Sequence, residues 1–386
     1  MDIADDLQVV AIKHHESPAS IYEIKPFPLM YLRGYSGRHN DEVTKMGRTF
    51  SAMEITAPGR LTAVCRPVPV PEAGEVLIEV EACGICGADR GDIEGATPEA
   101  KRIPGHEVVG RLVALGADVP SIWKVGQRVG IGRFGGHCGS CRECRRGQFH
   151  LCREQPVMGA SRDGGYAEMM TARATGLVSI PDELSSIEAA PILCAGIATF
   201  NGLRGSGATP GDTVAVVGIG GLGHMAVQYA RKMGLRVVAI GRGPDIAADA
   251  AALGAHRYID TEAEDAAAAL RSMGGATAIL STIGDMGVVA ALAQGLAPGG
   301  RLVLLGVGKD PLAIASGFLV GGERAVQGSI TGSPYDNERT LGFSVLTEVR
   351  PWIETMPLAQ AQTAYERMLS GEAKFRMVLT MGDTQC

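Results

Sequence analysis

The sequence predicts an α/β chain: a β-rich domain followed by a doubly wound parallel sheet. Three observations carry this. Short alternating or apolar runs bounded by Gly and Pro, such as "GEVLIEVEACG" and "EVVGRLVALG", recur from about Phe50 to Cys194. Beyond Cys194, apolar strand-like runs alternate with alanine-rich or amphipathic stretches. At their head, "DTVAVVGIGGLGHMAVQYARKMGLRVVAIGRG" reads strand, glycine turn, helix, strand.

Taken in order, residues 1–48 show no sustained period, and charge, Gly and Pro are scattered through them. They are expected to form an extension with little structure of its own; an upstream start ahead of an ordinary one near Met46 reads equally well. The pair His14 and His15 reads as solvated, since its spacing fits no ligand motif. Residues 49–195 are expected to form the sheet-based, barrel-like domain, because turn residues recur so often. Residues 196–334 hold the strands "RVVAI", "HRYID", "ATAILSTIG" and "RLVLLGVG". Between them lie the helical stretches "DIAADAAALG", "EDAAAALRSMGG" and "VVAALAQGLAPGG". Residues 335–386 hold one more helix, "LAQAQTAYERMLSG", and a strand, "KFRMVLTM", and are expected to return to the first domain.

Composition excludes several classes of function. At 386 residues, 46% hydrophobic and 20% charged, the chain can bury large cores in two or three domains. A formal charge of -6 argues against a general nucleic-acid binder. No run approaches the roughly 20 apolar residues of a membrane helix. The first residues, "MDIADDLQVV", are acidic where a signal peptide is basic. A cytoplasmic, reducing location is therefore expected, where disulfides are rare.

Gly218, Gly220 and Gly223 form G-x-G-x-x-G, with Gly221 and Leu222 completing the turn. The first glycine permits a tight turn, the second admits a pyrophosphate, and the third lets helix and strand pack closely. The helix N-terminus adds free N–H groups and a positive dipole end. These features predict a dinucleotide site. At the tip of "RVVAI" no carboxylate waits for a ribose 2′-hydroxyl. Arg242 follows instead and can receive a 2′-phosphate, unless it is a plain solvated arginine. NADP(H) is favoured on that ground, and NAD(H) is not excluded.

Cys138, Cys141, Cys144 and Cys152 fall at C-x2-C-x2-C-x7-C. Four thiolates at such spacing can enclose a tetrahedral Zn²⁺, and a full sulfur shell makes the site structural. An iron–sulfur cluster and an unmetallated or redox loop are the competing readings. A second set is dispersed: Cys86 in "GICGAD", His106 in "PGHEVVG" and Cys194 in "LCAGIAT". Singly, each reads as a buried or hydrogen-bonded core residue. Together, two Cys and one His would leave a fourth zinc position open.

The segments "CGICGAD", "PGHEVVGRL", the four-cysteine lobe, "SRDGGYAEMM", "CAGIATFNGL", "GIGGLG" and "AKFRMVL" resemble the zinc-containing medium-chain alcohol dehydrogenase family. The resemblance runs from about Ala52 to Met381. It implies a GroES-like catalytic domain and a Rossmann cofactor domain, with the active cleft between them. It carries the catalytic zinc ligands onto Cys86, His106 and Cys194, and an acidic neighbour of the metal onto Glu107. Asp89 matches the carboxylate that orients the ligand histidine. Thr199 matches a position near the nicotinamide, and Arg376 a basic residue near the pyrophosphate. Cys83 matches no ligand position and reads as a packed thiol. The implied reaction is hydride transfer between an alcohol and a nicotinamide, since a cation eases loss of the alcohol proton.

One departure stands beside Cys86. The family carries Ser or Thr two residues on, and many members carry His three further. Here those positions are Ala88 and Gly91, so the usual proton relay cannot run through them. A polyol, sugar or amino-alcohol dehydrogenase of the same superfamily is the alternative. A nucleotide- and zinc-binding protein that has lost turnover is another. Family members form dimers and tetramers, often by joining Rossmann sheets edge to edge, and "GERAVQGSI" is expected at such an edge.

Overall fold

A computed structural model describes residues 49–97 and 101–382. The expected extension at 1–48, with His14 and His15, lies outside the described residues, as does Cys386.

The β-rich part opens with a hairpin. β1 (Thr49–Ala57) and β2 (Arg60–Pro67) pair antiparallel across Pro58-Gly59. Proline presets the first corner of the turn, and Gly59 supplies φ +76° at the second. Then come β3 (Glu75–Ile85), α1 (Gly87–Glu94), β4 (Val108–Leu115), β5 (Arg128–Ile131), α2 (Arg142–Arg145), β6 (Met169–Arg173) and β7 (Leu177–Ser179). β3 is the spine of this sheet. One edge pairs antiparallel with β4, and the first half of the other pairs with β6.

Ser185 starts the next helical run. Its hydroxyl accepts the Glu188 N–H, and the Glu188 carboxylate accepts the Ser185 N–H. The run consists of α3 (Ser186–Pro191), one π-helical turn (Ile192–Gly196) and α4 (Ile197–Gly205). It passes unbroken through residues 195 and 196, where the sequence divides two domains. Ser186–Gly205 is also long and apolar enough to cross a membrane by length and composition alone, which corrects the expectation that no run comes near that length. It is a core helix: most of it is buried in the protein.

β8 (Thr213–Val217), α5 (Gly223–Lys232), β9 (Arg236–Gly241), α6 (Ala247–Ala252), β10 (Arg257–Asp260), α7 (Ala266–Ser272), β11 (Ala276–Ser281), α8 (Met286–Ala293), β12 (Leu296–Leu304), α9 (Ser316–Gly321) and β13 (Ala325–Gly328) alternate. The strands form one parallel sheet in the order β10-β9-β8-β11-β12-β13. Counted from β8 this is 3-2-1-4-5-6, the Rossmann order, with its switch point between β8 and β11. Every residue of β8 is buried, as a strand covered on both faces requires.

α10 (Pro334–Thr347), β14 (Ile353–Pro357), α11 (Ala361–Ser370) and β15 (Arg376–Thr380) end the described chain. β15 pairs antiparallel with the second half of β3, and β14 lies parallel to β15. The first sheet therefore reads β14-β15-β3-β4-β5-β7, with β6 also on β3. Ala82, Val109, Val178 and Val378 of this sheet share one core with Leu193, Phe200, Val214, Val216 and Val227. Ala215 and Val217 point to the other face of the parallel sheet, into a separate core with Leu270 and Leu292. The helical run Ser186–Gly205 thus sits where the two sheets meet, and one of its residues belongs to the site.

Candidate metal and cofactor site

Three elements bring the dispersed donors together. Cys86 stands at the N-cap of α1, where β3 ends. His106 precedes β4, and Cys194 sits in the π-helical turn. A π turn widens the helix by one residue, and such turns recur at functional sites. Thr199, in the first turn of α4, donates its hydroxyl to the carbonyls of Ala195 (2.7 Å) and Gly196 (3.0 Å), stitching that distortion. The Sγ atoms of Cys86 and Cys194 lie 3.7 Å apart, and Nε2 of His106 lies 3.4 Å from Cys194 Sγ. A tetrahedral ion with metal–sulfur bonds of about 2.3 Å sets its sulfurs about 3.8 Å apart. The donor set, two thiols and an imidazole, therefore fits Zn²⁺ in both chemistry and spacing. Glu107 completes the cluster, with all its ligand atoms within 4.8 Å and all four residues buried.

Charge at the centre is organised by Asp89. Its Oδ1 lies 2.8 Å from His106 Nδ1, and its Oδ2 accepts the Cys86 N–H at 2.9 Å. With Nδ1 turned to the Asp89 carboxylate, Nε2 faces the sulfurs. Burial opposes a charged imidazole here, yet the Asp89 carboxylate overrides it and pushes His106 up to about 10. Hydrogen bonding from Cys194, outweighing burial, holds the Cys86 thiol well below the ordinary thiol range. The pocket thus favours one anionic sulfur, a charge that a bound cation would meet.

Glu107 links this centre to the glycine turn. Its carboxylate pairs with the Arg376 guanidinium, both buried. Burial raises Glu107 to about 7 despite the arginine. Glu107 Oε2 and Arg376 Nε have no hydrogen-bond partner among the described residues. A Cβ on Gly221 would stand 2.7 Å from the Arg376 guanidinium, so the cation touches the turn. A Cβ on Gly223 would fall 1.9 Å from the Gly218 carbonyl, so only glycine lets α5 approach β8 here. Above Gly220 a Cβ would meet nothing within 4 Å. An open turn, a helix N-terminus and a buried cation that touches the turn fit a pyrophosphate. His224 in α5 ties the turn to the C-terminal segment. Its Nδ1 lies 3.2 Å from the Gly220 carbonyl, its Nε2 accepts the Trp352 N–H at 3.4 Å, and its ring stacks on Phe375.

Leu222 precedes α5 as its N-cap. Arg242 follows β9 and is exposed. Beside it, Asp260 Oδ1 accepts the N–H groups of Gly243 (2.8 Å) and Glu262 (2.9 Å). Cys83 is a buried thiol against Gly105 and Gly165, raised well above its ordinary range by burial.

The four-cysteine lobe is a separate site. Cys138, Cys141, Cys144 and Cys152 are free thiols whose Sγ atoms lie within 4.8 Å of one another. The Cys138–Cys144 separation is 3.9 Å and Cys138–Cys152 is 3.6 Å, again the spacing of a tetrahedral sulfur shell. Backbone N–H groups point at the sulfurs: Cys141 at Cys138 (3.4 Å), Cys144 at Cys141 (3.5 Å) and Cys138 at Cys152 (3.4 Å). These bonds stabilise thiolates, and with the Ser140 hydroxyl in the lead they bring Cys138 down to about 6.

Some residues here had no role in the sequence. Tyr166 donates its hydroxyl to Asp89 Oδ2 at 2.9 Å. Arg133 grips Asp92 with two bonds, 2.7 and 3.2 Å, and comes within 3.4 Å of His106 Nδ1. A signal existed only for Tyr166, in "SRDGGYAEMM": a buried tyrosine needs a partner for its hydroxyl.

The alcohol dehydrogenase GroES-like domain model matches residues 72–182, and the zinc-binding dehydrogenase model matches residues 221–345. Alcohol dehydrogenase notN of Aspergillus sp. (strain MF297-2) is 41% identical over 322 residues, covering 83% of this chain and 94% of its own. Acetophenone reductase from Geotrichum candidum NBRC 4597, solved in complex with NAD, matches with TM-score 0.78 and 27% identity, over 87% of this chain and 98% of its own. CAD from Helicobacter pylori, complexed with NADP(H), matches with TM-score 0.76 and 27% identity, over 88% of this chain and 100% of its own.

Proposed function

The chain belongs to the zinc-containing medium-chain alcohol dehydrogenase family, and we propose that it transfers hydride between an alcohol or carbonyl substrate and NAD(P). One observation carries the reading. Two thiols and an imidazole stand at tetrahedral spacing, and a single buried ion pair connects them to an open glycine turn.

Cys86, His106 and Cys194 would hold the catalytic zinc, leaving one direction for a substrate oxygen. When bound, zinc supplies Lewis acidity that stabilises negative charge on that oxygen. Asp89 keeps the His106 proton on Nδ1 and so directs Nε2. Glu107 stands ready beside the ligands with Arg376 as its counter-ion. The turn Gly218–Gly223 and the start of α5 would receive the pyrophosphate, and Thr199 would stand near the nicotinamide. Ala88 is exposed in the first turn of α1 and offers no hydroxyl. A proton released on alcohol oxidation would therefore need another route than a side chain at this position. Cys138, Cys141, Cys144 and Cys152 would hold a second, structural zinc with a closed sulfur shell.

NADP(H) is the favoured cofactor. Support comes from the exposed Arg242 after β9 and from Asp260, whose Oδ1 is spent on backbone N–H groups. A homodimer or homotetramer is proposed through β13, the last strand of the parallel sheet. The test follows the reduced-nicotinamide absorbance with NADPH or NADH and a panel of aldehydes, ketones and alcohols, beside zinc per chain. Turnover with NADPH and about two zinc equivalents supports the proposal. No turnover across the panel refutes the activity, and a strong NADH preference refutes the role of Arg242.

A further inference from the structure

Asp89 is fully buried, and a carboxylate there must find all its donors inside the protein. Three groups meet it. Cys86 N–H and the Tyr166 hydroxyl donate to Oδ2, each at 2.9 Å, and His106 Nδ1 stands 2.8 Å from Oδ1 as an ion-pair contact. Two of these come from metal-ligand residues themselves. The third comes from Tyr166, 77 residues away in sequence, at the approach to β6.

Tyr166 is built to stay where it is. Its N–H donates to the Pro104 carbonyl at 3.0 Å, and its own carbonyl accepts the Met53 N–H at 2.8 Å. Its ring packs against Gly105, the residue before His106; a Cβ there would stand 2.4 Å from the ring. Gly105 also has φ +100°, a left-handed conformation that suits glycine. One residue thus braces the chain entering His106 and the carboxylate that orients its ring. Burial keeps the phenol protonated, so it can only donate to Asp89.

We propose that Tyr166 is a positioning residue of the catalytic centre, its hydroxyl holding the Asp89 carboxylate in the rotamer that turns His106 Nε2 to the metal. The proposal rests on the reading that Cys86, His106 and Cys194 hold zinc. Without the hydroxyl, Asp89 Oδ2 keeps one donor, and rotation of the carboxylate away from Nδ1 meets less resistance. Outer partners of metal ligands typically carry 10- to 100-fold of metal affinity or activity.

The test compares zinc-loaded native chain with Tyr166→Phe, which deletes one oxygen and leaves the ring packed. Zinc transfer to a colorimetric chelator is followed in time. The open site is expected to release its zinc about tenfold faster in the variant. Release from the four-cysteine lobe stays unchanged, which reports that the chain is folded. In protein carrying cobalt at the open site, the visible ligand-field bands are expected to shift, a change that a distant packing defect would not cause. Two equivalents released at native rates, with unshifted cobalt bands, overturn the role of Tyr166 alone. A native chain that binds zinc only at the lobe overturns the metal reading and the proposal with it. Should Tyr166→Phe not fold, 3-fluorotyrosine at this position keeps the ring and strengthens the donor. Moved cobalt bands then support the proposal, and unmoved bands overturn it.

Discussion

Replacing Arg376 with methionine would remove two things at once: the counter-ion of Glu107 and the cation beside the glycine turn. The side chains of Arg376 and Glu107 are 3% and 0% exposed, so no water can take over for the survivor. Removing one partner of such a buried pair costs about 3–5 kcal/mol of stability. A separate loss is expected in cofactor binding. A charge-assisted hydrogen bond to pyrophosphate contributes about 1.5–3 kcal/mol, roughly a 10- to 150-fold weaker Kd without it. The double variant Glu107→Gln/Arg376→Met separates the two effects. It removes the stranded carboxylate, so much of the stability returns, while cofactor affinity stays low. Denaturant unfolding of the zinc-loaded chain measures the first effect, and fluorescence titration with reduced cofactor measures the second. A single variant that loses under about 1 kcal/mol, the worth of a surface pair, refutes the buried-pair argument. A double variant that regains native cofactor affinity refutes the contact between Arg376 and the cofactor.

Burial, with help from the Arg376 charge, pushes His224 down to about 3 from its ordinary 6.5; facing its ring are also the Gly220 carbonyl, the Trp352 N–H and Phe375. The unfolded chain therefore takes up a proton that the native site refuses. Stability is full above pH 6.5 and falls as pH drops toward 3, with a slope of up to about 1.4 kcal/mol per pH unit from this residue. His224→Asn is expected to flatten that slope in unfolding curves across the range, and an unaltered slope would count against the assignment. Cys144→Ser should cost about one zinc equivalent per chain and lower the unfolding temperature; retention of both equivalents would show that the lobe does not use all four sulfurs. Arg242→Ala is expected to cut kcat/KM for NADPH at least about tenfold and spare that for NADH, and equal losses for both would remove the phosphate contact.

The sequence by itself determined what depends on near neighbours in the chain. The turn at Gly218, Gly220 and Gly223 is legible because its reasons are local: φ +84° at Gly218 and a helix packed within a few residues. The lobe from Cys138 to Cys152 is legible because its four sulfurs sit on one short loop. Strands such as β3, β8 and β11 show as short, nearly continuous apolar runs, since a strand covered on both faces buries almost every residue. Cys86, His106 and Cys194 were united only by family resemblance, because residues 108 apart carry no spacing signal. Only the tertiary structure decided that a π turn lifts Cys194 into the cluster and that Arg376 meets Glu107 across 269 residues. It alone set Tyr166 on Asp89 and Arg133 on Asp92. The physical reason is register. Which side chains meet across paired strands and packed helices depends on every pairing between them, and a slip of one residue turns each side chain to the opposite face.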